Sequence, residues 1–107
     1  MPSKKGQDGG GGTKLKSRDE EKLQRPKKYK VVLYNDDFTP MDFVASLLIQ
    51  VFNMGQPAAW NVTKSVHEKG RGIAGVYSKE IAETKCLQVN DAARAYGHPL
   101  KSATEPE

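Results

Sequence analysis

At 107 residues and a formal net charge of +4, the chain has room for one domain with a small core. No apolar run approaches the roughly 20 residues of a membrane-spanning helix, so a soluble chain is expected. The single cysteine, Cys86, excludes an internal disulfide and points to a reducing compartment. The opening residues Met-Pro-Ser-Lys-Lys-Gly-Gln-Asp-Gly hold no hydrophobic segment, and Asp8, Asp19, Glu20 and Glu21 dilute the basic charge. Neither a secretory signal nor a transit peptide is expected.

The charge is unevenly placed. Residues 1–30 carry ten Lys and Arg against four acids, whereas residues 31–107 carry seven against nine. The basic character belongs to the tail and the fold itself is mildly acidic, which argues against a nucleic-acid partner. Residues 1–25 have five glycines in the first twelve positions, and Leu15 and Leu23 are their only large apolar residues. They cannot bury enough surface to order themselves. A flexible extension is expected there, with transient helix over 18–24, closed by Pro26 and followed by a core domain over 26–107.

The core reads in order. An apolar, β-branched run over 29–34 predicts the first strand. It stops at three polar residues, Asn35, Asp36 and Asp37. Thr39 is placed to cap a helix, with Pro40 at its first position and Asp42 three residues after the cap. Phe43, Val44, Leu47, Leu48, Val51 and Phe52 form a wide apolar stripe along that helix, over 40–52. Asn53-Met54-Gly55 ends it. Pro57 starts a second helix through about 68, with Ala59, Val62 and Val66 inward, and Gly70-Arg71-Gly72 reads as a turn. Residues 73–77 predict a second strand, interrupted by Ala74 and Gly75. Ser78 caps a third helix carrying Ala82, Cys86, Val89, Ala93 and Tyr96 on one stripe, and Gly97 and Pro99 stop it. Residues 100–104 complete an edge strand. The order β-α-α-β-α-β predicts an α+β fold, a small sandwich in which a three-stranded sheet, antiparallel or mixed, packs against three helices.

The corner at Asn35, Asp36 and Asp37 allows four chemistries. It can be a plain turn favoured by the following helix dipole. It can be part of a metal site, although no His/Cys cluster has ligand spacing. It can be an acid/base pair, although no nucleophile accompanies it. It can also trap an ammonium group, which needs only a few acceptors, and the residues present suit that reading best. The remaining candidates have plain alternatives: His67 as a surface or capping residue, His98 as a loop residue, Cys86 as core filler, Trp60 as packing, and the run from Lys79 to Lys85 as a solvated helix face.

Asn35-Asp36-Asp37-x-Thr39-Pro40-Met41, Val66-His67-x-x-Gly70, Gly75-Val76-Tyr77, Ala82-Glu83-Thr84-Lys85 and His98-Pro99-Leu100 stand in one order along residues 26–105. Together they resemble the ClpS family of adaptors, which deliver N-degron substrates to the Clp protease. The resemblance implies a non-catalytic, cytoplasmic, bacterial, monomeric protein without cofactor or metal. It would bind free N-termini that begin with Phe, Tyr, Trp or Leu and hand them to the ClpA unfoldase and so to ClpP. It further implies that Asn35, Asp37 and His67 hold the substrate's α-amino group, with Asp36 shaping the corner. Leu33, Tyr34, Thr39, Met41, Val44, Thr63, Val66 and Leu100 would line the side-chain pocket, Glu80 and Lys85 would dock on the unfoldase, and the N-terminal extension would serve delivery. Thr63 stands where the family commonly has a bulkier residue, often Met, so an altered ranking of first residues is expected. Asp42 stands where Glu is usual. Two other classes compete with this reading: an interaction module with a ribosomal-stalk-like fold and no peptide pocket, and a small carboxylate-dependent hydrolase.

Overall fold

Residues 27–107 are described by a computed structural model; the expected extension over 1–25, its transient helix and Pro26 lie outside them. The β-branched run forms β1 (Lys28–Tyr34), and strand alternation turns Val31 and Leu33 into the core. The rest of the order is α1 (Met41–Phe52), α2 (Gln56–Lys69), β2 (Arg71–Ser78), α3 (Lys79–Ala95) and β3 (Lys101–Pro106). The three strands form one sheet in the order β2-β1-β3, with both pairings antiparallel. Placing the most apolar strand in the centre leaves the two more polar ones as edges. Helix α3 packs along all three strands, α2 packs on β2 and α1, and α1 leans on α3.

Several boundaries differ from the expectation for local reasons. Gly70 takes a left-handed conformation (φ 90°) and ends α2 by itself. Arg71 and Gly72 are therefore free to pair with Tyr34 and Leu33, and β2 begins two residues early. Gly72 lies so close to α2 that a Cβ there would stand 2.7 Å from Val66 Cγ2. The small residues inside β2 mark a bulge: Val31 faces Gly75 and Val32 faces Ile73, which leaves Ala74 as the extra residue, buried in the core.

Helix α1 has Pro40 rather than Thr39 at its N-cap, with no side-chain cap hydrogen bond; the Thr39 hydroxyl is used elsewhere. The end of α3 is a full Schellman arrangement. Gly97 (φ 76°) sends its N–H to the Arg94 carbonyl and His98 sends its own to Ala93. Tyr96, expected on the core stripe, is 72% exposed: α3 ends at Ala95, Tyr96 is its C-cap, and the ring rests on Phe43, with centroids 5.4 Å apart. Cys86 is half-buried rather than core filler. Its sulfur lies 3.0 Å from Ser102 Oγ, inside a polar clasp in which Asn90 accepts from the Ser102 N–H at 2.9 Å and donates to the Ser102 carbonyl at 3.3 Å. The Asn90 side chain thus satisfies the backbone of β3 where no strand continues the sheet.

Candidate functional site

The site is built where β1 runs out. Asn35 continues past the last paired residue and donates its N–H to the Gly70 carbonyl at 2.9 Å. That bond ties the end of β1 to the end of α2 and brings Asn35 and His67 onto the same rim.

Asp36 then organises the turn. One carboxylate oxygen accepts the Phe38 N–H at 2.8 Å and the Thr39 N–H at 2.7 Å, and the other accepts the Thr39 hydroxyl at 2.7 Å. Partial burial raises the carboxyl pKa, but these hydrogen bonds from Thr39 and Phe38 outweigh it and hold the group below the usual carboxylate range. The Thr39 hydroxyl is therefore committed to the turn and not to capping α1. Asp36 is the internal ligand of its own loop.

Behind this corner lies a small concavity lined by Tyr34, Asn35, Asp36, Thr39, Met41, Val44, Thr63, Val66, His67 and Leu100. Its floor is dry. Val44, Thr63, Val66 and Leu100 are all buried, supplied respectively by α1, α2, α2 and the segment before β3. Asn35 and His67 are exposed at its mouth and Met41 and Thr39 are half-buried. Thr63 donates its hydroxyl to the Ala59 carbonyl of its own helix at 2.8 Å, so its only proton is spent on the backbone and the wall there is short and nearly apolar.

Ten of the twelve residues named from the sequence for amine or side-chain binding meet around this space. Leu33 does not: strand alternation buries it fully on the core side. Asp37 is exposed on the turn beside the lining residues. Tyr34 contributes to the wall while its hydroxyl is held outside, donating to Glu105 at 3.1 Å. Arg71 also binds Glu105 at 2.9 Å and lies over the Tyr34 ring at 5.8 Å. The bond to Glu105 is the chief reason the Tyr34 phenol is raised, and Arg71, then Tyr34, hold the Glu105 carboxyl low. Sequence reading missed Glu105 and Arg71 because their partner lies on the far strand.

The two residues expected to dock on an unfoldase are unlike each other. Glu80 is exposed in the first turn of α3. The Lys85 ammonium donates to the Val51 carbonyl at 2.8 Å and lies 5.2 Å over the Tyr77 ring and 5.7 Å over the Phe52 ring. It thereby closes the C-terminal end of α1. No group of metal-ligating side chains occurs among the described residues, and no helix among them is long and apolar enough to cross a membrane.

A small pocket with a largely apolar floor, ringed by amide, carboxylate and imidazole groups, defines a binding domain. The family model described as ATP-dependent Clp protease adaptor protein ClpS matches residues 24–103. An ATP-dependent Clp protease adapter protein ClpS from Hydrogenovibrio crunogenus is 52% identical over 84 residues, covering 78% of this chain and 81% of that protein. The protein of the same name from Parvibaculum lavamentivorans is 45% identical over 101 residues, covering 94% and 92%. The structure of Agrobacterium tumefaciens ClpS2 bound to L-phenylalaninamide is similar with a TM-score of 0.76 and 42% identity, over 78% of this chain and 100% of that one. The chain belongs to the ClpS family of Clp protease adaptors.

Proposed function

We propose that this chain is a non-catalytic adaptor that captures proteins by a free N-terminal Phe, Tyr, Trp or Leu and delivers them to a ClpA-type unfoldase for degradation by ClpP. The observation that carries this reading is the joining of a small pocket with a buried, largely apolar floor to a mouth of exposed hydrogen-bonding groups, Asn35 and His67, with Asp37 beside it. A free α-ammonium offers three donors, which an amide oxygen, a carboxylate and an imidazole can accept. Burying one aromatic or Leu side chain below it contributes about 1.5–3 kcal/mol. An acylated N-terminus leaves the acceptors facing an amide and loses roughly 2–5 kcal/mol, the cost of stranding one partner of a charged pair. That a phenylalanine amide occupies the Agrobacterium relative supports the same ligand class here.

Delivery is tested with purified ClpA and ClpP and a reporter protein beginning with Phe or with Ser. Addition of this protein is expected to speed degradation of the Phe reporter alone. Equal effects on both reporters, or none on either, would contradict the adaptor reading.

A further inference from the structure

One Glu105 carboxylate oxygen accepts the Tyr34 hydroxyl at 3.1 Å, and the other accepts an Arg71 N–H at 2.9 Å. The Arg71 guanidinium also lies 5.8 Å over the Tyr34 ring, a cation–π distance. Each strand supplies one member of this cluster: Tyr34 from β1, Arg71 from β2 and Glu105 from β3. Tyr34 and Arg71 are also the last pair of the β1–β2 ladder. The next link beyond them is the bond from the Asn35 N–H to the Gly70 carbonyl at 2.9 Å. Asn35 directly follows Tyr34, and Gly70 directly precedes Arg71. Both ends of that link are therefore flanked by a residue whose side chain Glu105 holds.

We infer that Glu105 is a positioning residue for the amine-binding corner: by stapling Tyr34 to Arg71 it keeps the Asn35–Gly70 link closed and so fixes the direction of the Asn35 amide. The inference rests on the proposed function and deepens it. Asn35 is exposed where strand pairing has run out, so its aim depends on the backbone just before it rather than on packing. Strand ends open more readily than strand centres, which makes the terminal pair the place where a side-chain staple has most effect. Gly70 also ends α2, so the same link sets the spacing between Asn35 and His67, three residues before Gly70. Neither Glu105 nor Arg71 lines the pocket; they reach a substrate only through the corner they hold. Their side chains are 31% and 48% exposed, and an ion pair this open to water adds little to overall stability. Its effect is local.

The test uses the full chain, Glu105→Ala and Glu105→Gln, with labelled peptides beginning with free Phe, free Leu and acetyl-Phe. Anisotropy gives binding, and amide hydrogen exchange by NMR gives the state of the Asn35 N–H. Glu105→Ala should weaken the free Phe and free Leu peptides alike, about fivefold, an ordinary size for coupling between neighbouring groups. The Asn35 N–H should exchange faster in that variant, with exchange at buried Leu48 unchanged. Glu105→Gln keeps an acceptor without the charge and should restore most of both. Unchanged binding or unchanged Asn35 exchange in Glu105→Ala overturns the inference. So does faster exchange at Leu48 as well, which marks a global loss, or a weakening confined to one first residue, which marks an altered pocket. Glu105→Gln as weak as Glu105→Ala overturns it too, because the carboxylate then acts by its charge. All of these leave the adaptor reading intact. Failure of the unaltered chain to bind either free peptide, or its equal binding of acetyl-Phe, removes the adaptor reading and the inference with it.

Discussion

Asp36 carries more of the local structure than any other single residue of the site. Three hydrogen bonds converge on its carboxylate, and both flanking site residues, Asn35 and Asp37, are aimed by the turn it closes. Asp36→Ala is therefore expected to cost about 1–3 kcal/mol of stability and to weaken peptide binding as well. The folded-state carboxyl is depressed, so its contribution is fully present above the unfolded value of roughly 3.9 and is lost as pH falls through the folded one. Urea unfolding of both proteins at neutral pH and at pH values below 4 checks this: the gap between them should narrow in acid. A gap that stays constant would assign the turn to other contacts. Thr39 shows why such detail escapes a reading of the chain. Its position before Pro40 satisfies the rule for a helix cap, yet a carboxylate three residues back competes for the same hydroxyl and wins.

At the scale of elements, the ends were harder to read than the elements themselves. The stripe of α1 and the apolar run of β1 follow from periodicity, which is a property of the segment alone. The start of β2 depends on Leu33 and Tyr34 as partners for Gly72 and Arg71, and Tyr96 is exposed because α3 ends just before it, at Ala95. Lys85 is the sharpest case. Its place in a charged run suggested a solvated face, and the family resemblance suggested a docking contact, but its ammonium is bound to the end of α1 and sits over two aromatic rings. Lys85→Met keeps the apolar stem and removes the donor, so stability should fall by about 1 kcal/mol. Glu80→Ala, on an exposed first turn, should change it little. Denaturant unfolding of the two variants separates the roles, and unchanged stability in Lys85→Met would show that the contact with Val51 contributes nothing to the fold.

For the whole molecule, the order of the elements explains why one site exists. The strand end of β1, the N-terminal turn of α1, the last two turns of α2 and Leu100 before β3 are far apart in the chain, and antiparallel closure of the sheet brings them to one edge. Val44, Val66 and Leu100 were legible as pocket residues only through the family resemblance; periodicity marked the first two merely as core. Leu33 was misplaced by that route, because alternation buries it behind the pocket. On the proposed function, the corner formed in this way holds a free α-ammonium above a buried apolar side chain. Anisotropy with one peptide beginning with free Phe and the same peptide acetylated tests it most directly. The free peptide alone is expected to bind, and its binding is expected to be lost in Asn35→Ala and in Asp37→Ala while both variants remain folded. Equal binding of the two peptides would contradict it.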